Sequence, residues 1–329
     1  MQIVPDPVSR CRRLLCLGGL VLAFFGTLHG VACSQQALWV DLGLAEYPLV
    51  TSARPAGEPI VQYRWIERSL TPPEHRLGVR IHSGERLRIQ SEVERLRRVT
   101  RFESVAGGFR WDPKQECGLS AGNRDTDSRW QCIYDRMATP SLPAISVVMS
   151  RFLGQIDQRA MSREQAAALV ISFVQDIPYA ALEDQLFGVL PPVLVIHERR
   201  GDCDSKSLLA HIMLAAIGVE SHLMISEAHR HVMLAVNLRG NGAERRIGGQ
   251  RYLMTEMTAR HPVGRIPTEV ASPDDWRAVQ VVSPRSGRQT GSSRPELPAL
   301  DAQQVRQLIE TNIVGALSWL LQRVSGGTR

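Results

Sequence analysis

The stretch Arg200-Gly201-Asp202-Cys203-Asp204-Ser205-Lys206-Ser207-Leu208-Leu209-Ala210 decides how the rest of the chain is read. It sets a cysteine where a loop turns into an amphipathic helix. Asp202 or Asp204 can cap that helix, whose apolar positions Leu208, Leu209, Ile212, Met213 and Ala216 run to a helix-ending glycine, Gly218. Cys203 then lies at the helix N-terminus. Unpaired backbone N–H groups and the positive end of the helix dipole are expected to favour a thiolate there and to lower the thiol pKa below its free value of about 8.5. The same N–H groups can hold an oxyanion.

Working outward toward the C-terminus, the pattern changes to strands. Glu220 to Ser226 forms one, the polar turn Glu227-Ala228-His229-Arg230 reverses it, and His231 to Asn237 forms the next. A Gly- and Asn-rich loop, Arg239 to Arg245, leads to a third strand around Arg251 to Thr258, on which Tyr252, Met254 and Glu256 point the same way. A carboxylate among apolar neighbours needs a partner, and a histidine on the adjacent strand would be one. Three histidines compete for that place: His231, which opens the apolar strand, and His229 and His222. Glu256 has its own alternative as a surface carboxylate facing Arg251 or Arg260.

Toward the N-terminus, Ser162 and Gln165 make a capping box for a helix whose face is Ala166, Leu169, Val170, Phe173, Val174 and Ile177, ending before Pro178. Residues 33–155 read as a separate, mainly β region: Val61, Tyr63 and Trp65 alternate with polar residues, as do Leu77, Val79 and Ile81. Ser83-Gly84 then offers a turn into a second run with Leu87 and Ile89, a hairpin. The run Glu94-Arg95-Leu96-Arg97-Arg98 reads as solvated surface.

The chain has 329 residues, 43% of them hydrophobic, enough to bury a sizeable core. Net charge is +6, but lysine occurs only at 114 and 206 and no basic block is interleaved with aromatics, which argues against nucleic acid as a partner. Residues 1–32 read as a signal peptide or membrane anchor: Arg10, Arg12 and Arg13 precede an apolar run from Leu14 to Leu28 and the small residues Gly30-Val31-Ala32. Ordinary cleavage, lipidation of Cys33 and retention as an anchor all remain open. Each implies export, to the periplasm or the periplasmic face of the inner membrane. Cys117 and Cys132 flank a turn-rich loop and would form a disulfide in an oxidising compartment, leaving Cys203 free; the alternative is three buried thiols. Cys203, His229 and His231 make only a partial metal set, so no metal is assigned. Residues 276–300 read as a linker, and 301–329 as an amphipathic helix that packs on this protein's own core, on a partner or on a membrane surface.

Phe173-Val174-Gln175-Asp176-Ile177-Pro178-Tyr179, then Gly201-Asp202-Cys203 opening a helix that ends in Gly218-Val219, then His231 to Val236 and Tyr252 to Thr258, resemble bacterial transglutaminase-like proteins over roughly residues 160–270. The resemblance implies an α+β, papain-like domain, here 156–275, in which a helix-borne cysteine packs on an antiparallel sheet. By position it implies Cys203 as nucleophile, His231 as base and Glu256 as orienting acid. Many members carry aspartate at the third place and an aromatic residue where Val232 stands, which are departures here. The implied activity is that of a cysteine peptidase or amidase acting on a peptide or protein amide bond, without a cofactor. Transamidation and a non-catalytic peptide-binding module are the rivals. Tyr179 and Asp202 are further candidates for substrate or oxyanion contact.

Overall fold

The computed structural model describes residues 39–47, 58–105, 108–112, 114–119, 126–182, 185–272 and 275–281. The expected leader at 1–32, Cys33 and the expected helix at 301–329 lie outside the described residues. The chain from Ala37 onward forms one compact unit, an α+β arrangement of two main sheets joined by helices.

The first sheet has the order β1-β3-β2, with β1 (Trp39–Tyr47) parallel and β2 (Val61–Ile66) antiparallel to β3 (Glu74–Ile81). The alternation read in the sequence is present: Tyr63 and Trp65 are buried while Gln62, Arg64 and Ile66 are exposed. The expected hairpin is not. Ser83 opens a helix, α1 (Ser83–Val99), with Glu85 in its first turn and Arg97 and Arg98 in its last. Leu87 and Ile89 mimic a strand over three residues, but the longer pattern Ile89, Val93, Leu96 has the helical period and is the buried face. Leu87 is 61% exposed. The Arg-rich run lies on this helix, where Arg95 pairs with Glu92 and Glu116.

Residues 33–155 are therefore neither mainly β nor separate. After the short hairpin β4 (Glu103–Val105) and β5 (Gly108–Arg110) come α2 (Lys114–Cys117), α3 (Thr126–Ala138) and α4 (Leu142–Gln158). Cys117 on α2 is bonded to Cys132 on α3 with Cα atoms 5.9 Å apart. Trp65 stacks on Phe152 of α4 and meets Phe173 edge-on at 5.1 Å, so one core runs across the expected boundary. The physical cause is that a three-stranded sheet has an apolar face too large to leave uncovered, and the helices that follow cover it.

Phe173 belongs to α5 (Arg163–Asp176), whose capping box forms as read: Ser162 Oγ accepts from Gln165 N (3.2 Å) and Gln165 Oε1 accepts from Ser162 N (2.9 Å). Next come α6 (Pro192–Glu198) and α7 (Cys203–Ala216). Gly218 ends α7 with φ +73°, where Gly218 N donates to the Ala215 carbonyl and Val219 N to the Leu214 carbonyl, closing the last turn.

The second sheet is antiparallel, β10-β6-β7-β9-β8, built from β6 (Ser221–Ser226), β7 (His231–Val236), β8 (Glu244–Ile247), β9 (Gln250–Thr255) and β10 (Arg277–Val279). Its Leu223, Val232, Leu234 and Leu253 face join the core that includes Leu208 and Ile212 of α7. The other face carries Met224, Met233, Ala235, Tyr252, Met254 and Trp276. The loop expected at 239–245 gives way to β8 at Glu244. Gly248 and Gly249, both at positive φ, make the two-residue turn into β9. The expected linker also starts too early: Arg277–Val279 pairs with β6, and Val279 and Val281 are buried. Among the described residues no helix is long and apolar enough to cross a membrane.

Nothing crowds the position a Cβ would take at Gly218, so its cost there is conformational alone. Gly218→Ala should lower stability by about 1–2 kcal/mol, read as a lower urea midpoint at unchanged slope.

Candidate functional site

The site forms where the N-terminus of α7 meets the start of β7 and the end of β9. Asp202 caps α7, its Oδ1 accepting from Ser205 N (2.9 Å), which leaves Cys203 as the first helical residue, 8% exposed and the free cysteine among the described residues. Asp202 is thus an acceptor that fixes the helix start.

Helix α7 packs on β7, and Ser207 Oγ donates to the Val232 carbonyl (3.3 Å). A backbone hydrogen bond from Val232 also reaches the Cys203 sulfur, so the thiol lies at the residue that follows His231. His231 Nε2 lies 2.7 Å from Glu256 Oε2. The other oxygen of Glu256 accepts from Thr258 N (2.7 Å) and Thr258 Oγ1 (2.6 Å). Burial of Glu256, 2% exposed, raises its pKa, but the hydrogen bond and charge of His231 and the two Thr258 bonds outweigh this and pull it down to about 2. An ionised carboxylate only accepts, so Nε2 is the donor of this contact and Nδ1 is the ring nitrogen turned away from Glu256.

The competitors are placed elsewhere. His229 pairs with Asp275 (3.2 Å) and stacks on Trp276, while His222 lies 3.8 Å from Glu220. Arg251 pairs with Glu244 and Arg260 with Asp176, so neither takes Glu256. Trp276 stands edge-on to His231, ring centres 6.1 Å apart. Tyr179 bridges to Gly201, is 58% exposed and feels the charges of Cys203, Asp202 and Asp204, which places it at the rim.

The thiol does not behave as expected from its place on the helix. Burial first, then the charges of Asp204 and Asp202, push its pKa well up. The capping N–H of Ser205 is spent on Asp202, and two carboxylates offset the helix dipole. Cys203 Sγ donates to Asp204 Oδ2 (3.3 Å). The structure thus joins His231 to Glu256 directly and sets the Cys203 sulfur against the backbone of Val232, the residue after His231.

Lys206 is the residue sequence reading missed. It is fully buried, and Nζ donates to the carbonyls of Ile177 (2.6 Å) and Gln175 (3.2 Å). Gln175 Nε2 in turn donates to the Glu256 and His261 carbonyls, each at 2.8 Å. One lysine thereby ties the segment before Tyr179 and the segment bearing Glu256 to the helix of Cys203. Its signal was in the sequence: one of two lysines, set among residues otherwise suited to a core. Among the described residues no group of three or more His, Cys, Asp and Glu side chains is arranged to hold a metal ion.

Comparison of the chain with protein-family models, with curated proteins and with solved structures found no match.

Burial lowers the Lys206 pKa to about 8, with the charge of Glu256 acting against the shift. The unfolded lysine titrates near 10.4, so between these values the unfolded chain holds more protons and stability rises with pH. Wild type should therefore gain up to about 3 kcal/mol over Lys206→Met from pH 7 to pH 10.5, measured by urea unfolding at each pH.

Proposed function

We propose that this chain is an exported thiol hydrolase of the transglutaminase-like, papain-like class, which opens an amide bond of a peptide or protein through Cys203, His231 and Glu256. The observation that carries the reading is the 2.7 Å contact of His231 Nε2 with the buried Glu256 carboxylate. It sets the imidazole tautomer that a base beside a thiol requires.

In this mechanism Cys203 Sγ attacks the carbonyl carbon while its proton moves to His231 Nδ1. The tetrahedral oxyanion is held by the Cys203 backbone N–H at the start of α7, with the Tyr179 hydroxyl as a second donor from the rim. The C–N bond then breaks as the imidazolium returns the proton to the leaving amine, leaving a thioester. Water hydrolyses the thioester with His231 as base; an amine in its place would give transamidation. Glu256 offsets the imidazolium charge throughout. The residues supply every proton and electron pair, so the reaction calls for no cofactor. The Cys117–Cys132 bond fits an oxidising compartment.

The second reading, a peptide-binding module without turnover, draws on the Cys203 thiol being bound to Asp204 instead of to the base.

The test is turnover of an unstructured protein and of peptide amides by the purified chain, with intact-mass detection of a Cys203 thioester. Cys203→Ala and His231→Ala should abolish turnover, and Glu256→Gln should lower kcat about 10²–10⁴-fold with little change in KM. A wild-type chain that neither turns over nor acylates at Cys203 would sink the hydrolase reading in favour of the binding module.

A further inference from the structure

Two carboxylates flank Cys203 on its own helix, and they do different things. Asp202 is the cap, occupied with Ser205 N. Asp204, in the first turn, reaches its own backbone N–H and feels the charge of His231. Its Oδ1 accepts from the hydroxyl of Tyr134, a fully buried residue of α3, while its Oδ2 accepts from Cys203 Sγ at 3.3 Å. The carboxylate is therefore held by a different element through one oxygen and accepts the nucleophile's proton on the other.

We propose that Asp204 is a positioning residue that keeps Cys203 a protonated, hydrogen-bonded thiol at rest, so that thiolate forms only as His231 takes the proton during attack. The inference rests on the reading of Cys203 as nucleophile. The groups around the thiol are Asp202 at the cap and Asp204 in the first turn of α7, Tyr134 from α3 and Tyr179 from the segment after α5, and the charge of His231 from β7, with Glu256 behind it, reaches Asp204. The nearest charges, the two aspartates, oppose a third negative charge on sulfur, and the Val232 backbone bond favours it. Alkylating and oxidising agents react with thiolate, not thiol. A restrained thiol is thus spared by both until substrate and base act on it together. Lys206 lies one turn further along α7 and directs its charge at Glu256, so it does not relieve the restraint.

Asp204→Asn tests this, because the amide keeps the side chain's shape and an oxygen for the Tyr134 hydroxyl while losing the charge. The rate of iodoacetamide alkylation at Cys203, located by peptide mapping, is followed against pH in wild type, Asp204→Asn and the charge-retaining Asp204→Glu, each checked for cooperative thermal unfolding. The midpoint of Asp204→Asn should fall by about one pH unit and its rate at neutral pH rise about tenfold, while Asp204→Glu should stay near wild type. If Asp204→Asn does not fold, Asp204→Ser takes its place with the same expectation. A folded neutral variant whose midpoint is unchanged or higher overturns the proposal, as does an Asp204→Glu profile that matches Asp204→Asn. Wild-type amide turnover is scored separately: its absence alongside a lowered midpoint removes the hydrolase and leaves the restraint standing.

Discussion

A carboxylate as enclosed as that of Glu256 stays charged only if its surroundings replace the water it has lost, and most of this site follows from that requirement. One oxygen takes both donors of Thr258 and the other takes His231. Lys206 lends a positive charge from beneath. The hydrogen bonds fix the end of β9 to the start of β7, and the charge of Lys206 draws α7 toward the same carboxylate. The imidazole has little choice of orientation as a result. Its tautomer is a consequence of the carboxylate's hydrogen bonds.

The same logic separates the two carboxylates nearest the thiol. Asp202 and Asp204 both sit in the first turn of a helix, where negative charge is favoured by the dipole. Burial acts in the opposite sense, raising the pKa of Asp202 to about 6 and raising that of Asp204 as well. A helix N-terminus is a good place for one anion. With two side chains already there, a third negative charge on sulfur is disfavoured, and the dipole argument applied to Cys203 alone gives the wrong sign.

What the sequence made legible was local and periodic. The capping box at Ser162, the stop at Gly218, the strand beginning at His231 and the pairing of Cys117 with Cys132 each depend on residues within a turn or a loop of one another. The pairing of His231 with Glu256 could be read because alternation on two adjacent strands brings their side chains to one face. The failures were long-range or short-period. Leu87 and Ile89 fit a strand only when Val93 and Leu96 are ignored. The helical cover over β1–β3 could not be read from the strands themselves, since amphipathic strands say that a face is buried but not by what. Lys206 and Tyr134 escaped because a polar group in a core gains its meaning from partners 29 and 70 positions away.

The last described strand has a practical bearing on how this protein can be shortened. β10 occupies the sheet edge beside β6, and Trp276 immediately before it closes over the imidazole. A truncation placed in the Pro- and Asp-containing stretch before 276 would look conservative by composition. It would strip that edge, leaving the backbone of β6 open to pair with another molecule, and would unroof the histidine at the same stroke. A boundary that respects these hydrogen bonds comes no earlier than Val281, whose side chain still belongs to the interior.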